Sequence, residues 1–132
     1  MKTILYAEDD ARLRGDCQHE LEDEGYRVLT AEDGNEAISV VRQQRPDLVI
    51  LDICMPNIDG LEAAQRIKEI DGEIPIVFYT AFDEDCLRDP RSRNAIACVE
   101  KSAGLAELKH TIFAIFSNQP QYRVGLPPEV NG

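Results

Sequence analysis

Pro46-Asp47-Leu48-Val49-Ile50-Leu51-Asp52-Ile53-Cys54-Met55-Pro56-Asn57-Ile58-Asp59-Gly60 sets a breaker, a run of four apolar residues, an acid and a turn-rich loop in succession. An uninterrupted apolar run bounded this way fits a central parallel strand covered on both faces, with Asp52 just past its carboxyl end. Parallel strands need crossovers, so the flanking sequence must supply helices, and it does. Upstream, Thr3–Ala7 reads as a first strand, and Asp10 can cap a helix whose Leu13, Cys17 and Leu21 fall four apart on one face. Gly25 ends that helix and Arg27–Ala31 follows as strand two. Asp33-Gly34 then turns the chain into a second helix bearing Ala37, Ile38, Val40 and Val41, which Pro46 stops. Downstream, Gly60 precedes a third helix with Leu61, Ala64 and Ile67. Ile76–Thr80 reads as strand four, Ala95–Val99 as strand five and Gly104–Ser117 as the closing helix.

Five such units in 132 residues imply one α/β domain, an open parallel sheet with helices on both faces. The fourth unit is irregular. Asp83–Asn94 contains Pro90 and few apolar residues, which predicts a short helix ending near Arg88 and an irregular stretch beyond it. The domain is predicted to span residues 1–117. The segment 118–132 carries Pro120, Pro127 and Pro128 without periodicity and reads as an extended or disordered tail.

Composition narrows the function classes. The chain has 43% apolar and 30% charged residues, with 25 acids against 14 bases and a net charge of −11. Residues 1–66 carry −8 of that, and a surface so negative repels phosphodiester backbones and anionic lipid, so neither direct nucleic-acid nor membrane binding is expected. The opening residues Met1 to Asp10 meet three acids before any long apolar segment forms, which argues against a signal peptide. Cys17, Cys54, Cys86 and Cys98 form no CxxC pair and fall in apparent helices and strands. They read as reduced, mostly buried thiols of a cytoplasmic protein.

In an open parallel sheet the functional crevice lies at the carboxyl ends of the strands. There strand one ends in Glu8-Asp9-Asp10, strand three in Asp52, strand four in Thr80-Ala81 and strand five in Val99-Glu100-Lys101. Converging carboxylates repel unless a cation joins them, and hard oxygen donors suit Mg²⁺. A divalent ion, an ammonium, a hydroxyl and a carboxylate nucleophile together point to phosphoryl transfer onto an aspartate. Each residue alone has a plainer role: Asp10 as a helix cap, Asp52 as a strand end, Thr80 as a β-former, Lys101 as a solvated cation. It is the convergence of four strand ends that favours the chemistry.

The segments Ile4-Leu5-Tyr6-Ala7-Glu8-Asp9-Asp10, Pro46 to Gly60, Ile74-Pro75-Ile76-Val77-Phe78-Tyr79-Thr80-Ala81 and Lys101, in this order, resemble the receiver domain of two-component response regulators. The likeness runs over residues 3–117, and its most specific stretch is Asp52 through Met55-Pro56 to Asp59-Gly60. It implies a flavodoxin-like fold with strand order 2-1-3-4-5. It implies that Asp52 is the phosphoacceptor, served by a sensor histidine kinase or a phosphotransfer protein. Asp9 would ligate Mg²⁺ directly, Glu8 through water and Cys54 through its main-chain carbonyl. Thr80 and Lys101 would contact the phosphoryl group. Such a domain catalyses only its own phosphorylation and dephosphorylation, so it is not classed as an enzyme.

Two positions depart from the family pattern. Cys98 stands where receivers commonly carry an aromatic residue that swings inward, and Ser102 stands where proline commonly follows the lysine. A cis Lys101–Ser102 bond would cost about 3 kcal/mol, so either the loop is rearranged or packing tolerates strain. The expected output is a changed surface around helix four, strand five and helix five, meeting an unknown downstream effector or a second copy of the chain. Phe113 and Phe116 near Ile112 read mostly as core, with one face available to a dimer or partner. Cys54 and Phe82, two residues beyond Asp52 and Thr80, orient water poorly, which predicts slow self-dephosphorylation. The competing reading is a phosphate-independent interaction module on the same fold. A flavin site would need a phosphate-cradling loop where Glu8, Asp9 and Asp10 stand, and a haloacid-type phosphatase would need an acid at Cys54.

Overall fold

Three aspartates start three helices. Asp10 accepts hydrogen bonds from the amides of Arg12 and Leu13 at 3.0 and 3.1 Å, Asp33 from Glu36 at 2.8 Å and Asp59 from Glu62 at 2.9 Å. Each satisfies amides that the first helical turn leaves without partners. A computed structural model describes residues 1–81 and 88–117. The elements run β1 (Thr3–Ala7), α1 (Ala11–Asp23), β2 (Arg27–Ala31), α2 (Gly34–Gln44), β3 (Leu48–Leu51), α3 (Gly60–Ile70), β4 (Ile76–Thr80), a 3₁₀ turn (Pro90–Asn94), β5 (Ala97–Glu100), a second 3₁₀ turn (Lys101–Ala103) and α4 (Leu105–Phe116). This α4 is the closing helix, fifth in the sequence reading. The short helix predicted after β4 and the tail 118–132 lie outside the described residues.

The sheet is parallel throughout, in the order β2-β1-β3-β4-β5. This is the open parallel sheet that the sequence predicts, in the doubly wound flavodoxin-like order that the resemblance implies. Successive side chains of a strand face opposite ways, so each strand feeds two cores. Leu5, Val49, Leu51 and Phe78 pack with Val41 and Ile67 beneath α2 and α3. Ile4, Tyr6, Ile50, Val77 and Val99 pack with Leu21, Leu108 and Ile112 beneath α1 and α4. Among the described residues no helix is long and apolar enough to cross a membrane.

Some boundaries differ from the sequence reading. Gly60 is the first residue of α3 rather than the residue before it, and Gly104 and Ser117 flank α4. Strand β5 begins at Ala97, because Ala95 closes the preceding turn by donating a hydrogen bond from its amide to the Ser92 carbonyl at 3.2 Å. Cys54 needs a larger correction: it is exposed in the loop after β3, not within an element, while Cys17 is buried and Cys98 half-buried. No cis peptide occurs among the described residues, so Lys101–Ser102 is trans. The loop there is rearranged into a 3₁₀ turn that leaves through Gly104 at φ 92°.

Candidate functional site

The sheet register determines which side chains meet. Ala7 pairs with Leu51, so Glu8 and Asp52 leave the sheet next to each other. Their amides extend the ladder, Glu8 donating to the Ala31 carbonyl at 3.0 Å and Asp52 to that of Ala7 at 3.2 Å. Thr80 pairs with Glu100, so Lys101 emerges beside Thr80.

Asp52 is 5% exposed, and its carboxylate is engaged from three sides. Its Oδ1 accepts from the Thr80 hydroxyl at 2.8 Å and from the Cys54 amide at 3.2 Å. Its Oδ2 accepts from Lys101 Nζ at 2.7 Å. Lys101 also donates to Glu8 Oε1 at 2.6 Å, and so bridges two buried carboxylates as an internal counterion. Burial pushes the Glu8 carboxyl above its usual range, the bonds from Lys101 and the Asp10 amide only partly oppose this, and the neighbouring Asp52 adds to the rise. For Lys101, burial alone would lower the ammonium pKa, but the bonds to Asp52 and Glu8 outweigh it and hold the group above an ordinary lysine.

Carboxylate oxygens of Glu8, Asp9 and Asp52 lie within 4.8 Å of one another, two of these residues buried and Asp9 exposed. One ammonium against three converging acids leaves an excess of negative charge. Three hard oxygen donors that close together fit a divalent cation of the Mg²⁺ class. Asp10 points elsewhere, since its side chain caps α1. Cys54 lends its amide to Asp52. Phe82 lies outside the described residues.

Three contacts around the site escape a sequence reading. The buried Tyr6 hydroxyl lies 3.5 Å from Glu8 Oε1. Asn57, in the left-handed region at φ 69°, donates to the capping Asp33 at 3.0 Å and so ties the loop after β3 to the start of α2. Arg14 reaches back from α1 to the Glu8 carbonyl at 2.7 Å. A middle-of-strand tyrosine and a helical arginine look ordinary in sequence, and only the asparagine, a residue tolerant of left-handed backbone, carries a local signal. At the departing positions, Cys98 packs against the α2/α3 core. Burial, reinforced by Glu100, pushes its thiol up to about 11. On α4, Ile112 is buried and Phe116 packs against Tyr26 with centroids 5.4 Å apart, whereas Phe113 is 62% exposed.

Residues 4–113 match the family model of the response regulator receiver domain. The transcriptional regulatory protein PdtaR of Mycobacterium tuberculosis is 39% identical over 111 residues, which cover 81% of this chain and 53% of PdtaR. The transcriptional regulatory protein AfsQ1 of Streptomyces coelicolor is 40% identical over 85 residues, covering 64% of this chain and 37% of AfsQ1. The chain thus spans from about a third to about half of the length of these curated relatives. Among solved structures, the response regulator TrrA of Thermotoga maritima, in complex with Mg²⁺-BeF, is similar with a TM-score of 0.81 and 39% identity, covering 87% of this chain and 99% of that one. TrrA in complex with the histidine kinase ThkA is similar with a TM-score of 0.79 and 38% identity, covering 87% and 98%. Fold, strand-end constellation and family match agree: the chain belongs to the response regulator receiver domains of two-component signalling systems.

Proposed function

We propose that Asp52 accepts a phosphoryl group from a phosphohistidine of a sensor kinase or phosphotransfer protein, in a Mg²⁺-dependent reaction, and that the modified domain presents a changed surface to an effector. The observation that carries this reading is the Asp52 carboxylate itself: nearly buried, at a strand end, with a hydroxyl, an ammonium and a main-chain amide all directed at it.

As nucleophile, Asp52 needs no general base, because an ionised carboxylate has a lone pair ready. One of its oxygens forms the new O–P bond as the P–N bond to the donor imidazole breaks, and that electron pair leaves with the imidazole nitrogen. Lys101 and the Thr80 hydroxyl, both on Asp52 at 2.7 and 2.8 Å, are placed to pass to phosphoryl oxygens as charge moves outward. Glu8 remains as a second anchor for Lys101. Asp9, Asp52, the Cys54 carbonyl and, through water, Glu8 would hold the metal. When bound, Mg²⁺ neutralises phosphoryl-oxygen charge and relieves repulsion among the acids.

The surface of strand β5, α4 and the segment before β5 is the proposed output face. With Cys98 half-buried against the α2/α3 core and its thiol protonated, no aromatic side chain at that position couples Thr80 to the surface. The movement must instead pass through backbone near Thr80 and Lys101. A comparison of metal-free and beryllofluoride-bound protein by NMR is expected to show shifts concentrated there, and shifts confined to the metal site would refute the output face.

Incubation with acetyl phosphate and Mg²⁺ is expected to label the protein, and chelation of the metal to prevent it. Equal labelling with and without chelator would contradict the reading. The side chain of Cys54, exposed beside Asp52, has no charge or carboxamide with which to align an attacking water. The phosphoryl group is therefore expected to persist for many minutes after the donor is removed, and a half-life of seconds would show that water is aligned by other means. The gathering of Thr80, Lys101, Glu8 and Asp9 around Asp52 supports this reading over the phosphate-independent alternative.

A further inference from the structure

Arg14 occupies an unusual place for a cation. It lies in the first turns of α1, where the helix dipole disfavours positive charge. Its side chain is only 16% exposed. The guanidinium instead turns back on the loop before the helix. Nη1 donates to the main-chain carbonyl of Glu8 at 2.7 Å and more loosely to that of Asp9 at 3.5 Å, while Nη2 meets the exposed Glu32 carboxylate at 3.5 Å. The short bond is charge-assisted and goes to backbone, not to a carboxylate. The same loop is held from its other end by the Glu8 amide on Ala31 and by the Asp10 amide on Glu8 Oε2 at 3.1 Å.

We propose that Arg14 is a positioning residue of the metal site: its guanidinium clamps the main chain at Glu8 and Asp9, so that the acidic pair is held in place before a cation arrives. This rests on the reading of Glu8, Asp9 and Asp52 as the metal site. It also makes a prediction of unusual sign. A guanidinium that acted only through its charge would repel Mg²⁺, and removing it would tighten metal binding. A clamp acts the other way, because a loosened loop must be ordered at the expense of affinity.

The test compares the full chain with Arg14→Gln and Arg14→Lys, measuring Mg²⁺ affinity by calorimetry, melting without metal, and exchange of the Asp10 amide without metal. Both variants are expected to lose Mg²⁺ affinity by roughly tenfold or more, the usual scale for groups that orient ligands. Melting is expected to stay near that of the wild type, and the Asp10 amide to exchange several times faster. Tighter Mg²⁺ binding by Arg14→Gln, or wild-type affinity in both variants, would overturn the clamp. If the wild type itself binds no Mg²⁺, the metal-site reading fails instead. The clamp is then judged on the Asp10 amide alone, and unchanged exchange in both variants overturns it. Should Arg14→Gln not fold, Arg14→Lys, which keeps the charge but not the fork, carries the same readouts.

Discussion

Asp52→Asn is expected to abolish phosphoryl labelling, lowering it by at least about 10³-fold, while the domain remains folded. The amide is nearly the same shape as the carboxylate, but its oxygen is a poor nucleophile and carries no charge to attract the donor's phosphorus. The rest of the constellation survives the change. The Thr80 hydroxyl can still donate to the amide oxygen, and Lys101 keeps Glu8 as its partner at 2.6 Å. Removing one of two buried carboxylates that share a single ammonium also relieves repulsion, so the loss of one ion pair is offset in part. Labelling by radioactive acetyl phosphate, read beside circular dichroism and a melting curve, separates the two effects. Substantial labelling of a folded Asp52→Asn protein would place the acceptor elsewhere.

The largest effect on stability is expected from a single methyl group. Gly60 begins α3, and its amide donates to the Ile53 carbonyl at 2.7 Å, folding the loop after β3 back on itself. A Cβ added there would drive into the Asp52 carbonyl oxygen and stand 2.7 Å from the Ile53 Cα and 2.9 Å from the Asp52 carbonyl carbon. These neighbours are backbone and cannot rotate away. Relief would have to come from moving α3 or Asp52 itself. Gly60→Ala is therefore expected to cost about 3 kcal/mol, and to lower the melting temperature by on the order of 10 °C or more. Gly15, inside α1, is the control, because a Cβ built there meets nothing within 4 Å. Gly15→Ala is expected to stabilise by about 0.5–1 kcal/mol through helix propensity and a less flexible unfolded chain. The same substitution should thus shift the melting curve in opposite directions at the two sites. Equal shifts would mean that the close approach at Gly60 is not what the residue identity serves.

Much of this architecture is legible in the chain because several signals coincide. Leu48–Leu51 lies between Pro46 and a loop rich in turn residues. The capping aspartates stand just before their helices, and β1, β2 and β3 each end where an acid follows the strand, at Glu8, Glu32 and Asp52. The strand ends then announce the site, since a parallel sheet brings its carboxyl edges together whatever the sequence distance between Glu8, Asp52, Thr80 and Lys101. What was harder to read has identifiable causes. Ala95, Ala97 and Val99 alternate in burial straight through the end of a 3₁₀ turn, so the hydrophobic pattern cannot show where the β5 ladder begins. Cys54 comes soon after the apolar run and looks like core, yet it lies in a bend of the loop after β3 that leaves it exposed. Arg14 is a helical basic residue whose partners are main-chain carbonyls, and a carbonyl leaves no mark in the letters of a sequence.

A crystal of this protein soaked in Mg²⁺ and beryllofluoride would test the common focus of these side chains most directly. One divalent ion is expected, shared by the carboxylate oxygens of Asp9 and Asp52, with the fluoride group on Asp52 reached by Thr80 and Lys101. Two carboxylates facing separate regions with no ion in common, or beryllofluoride bound away from Asp52, would contradict it.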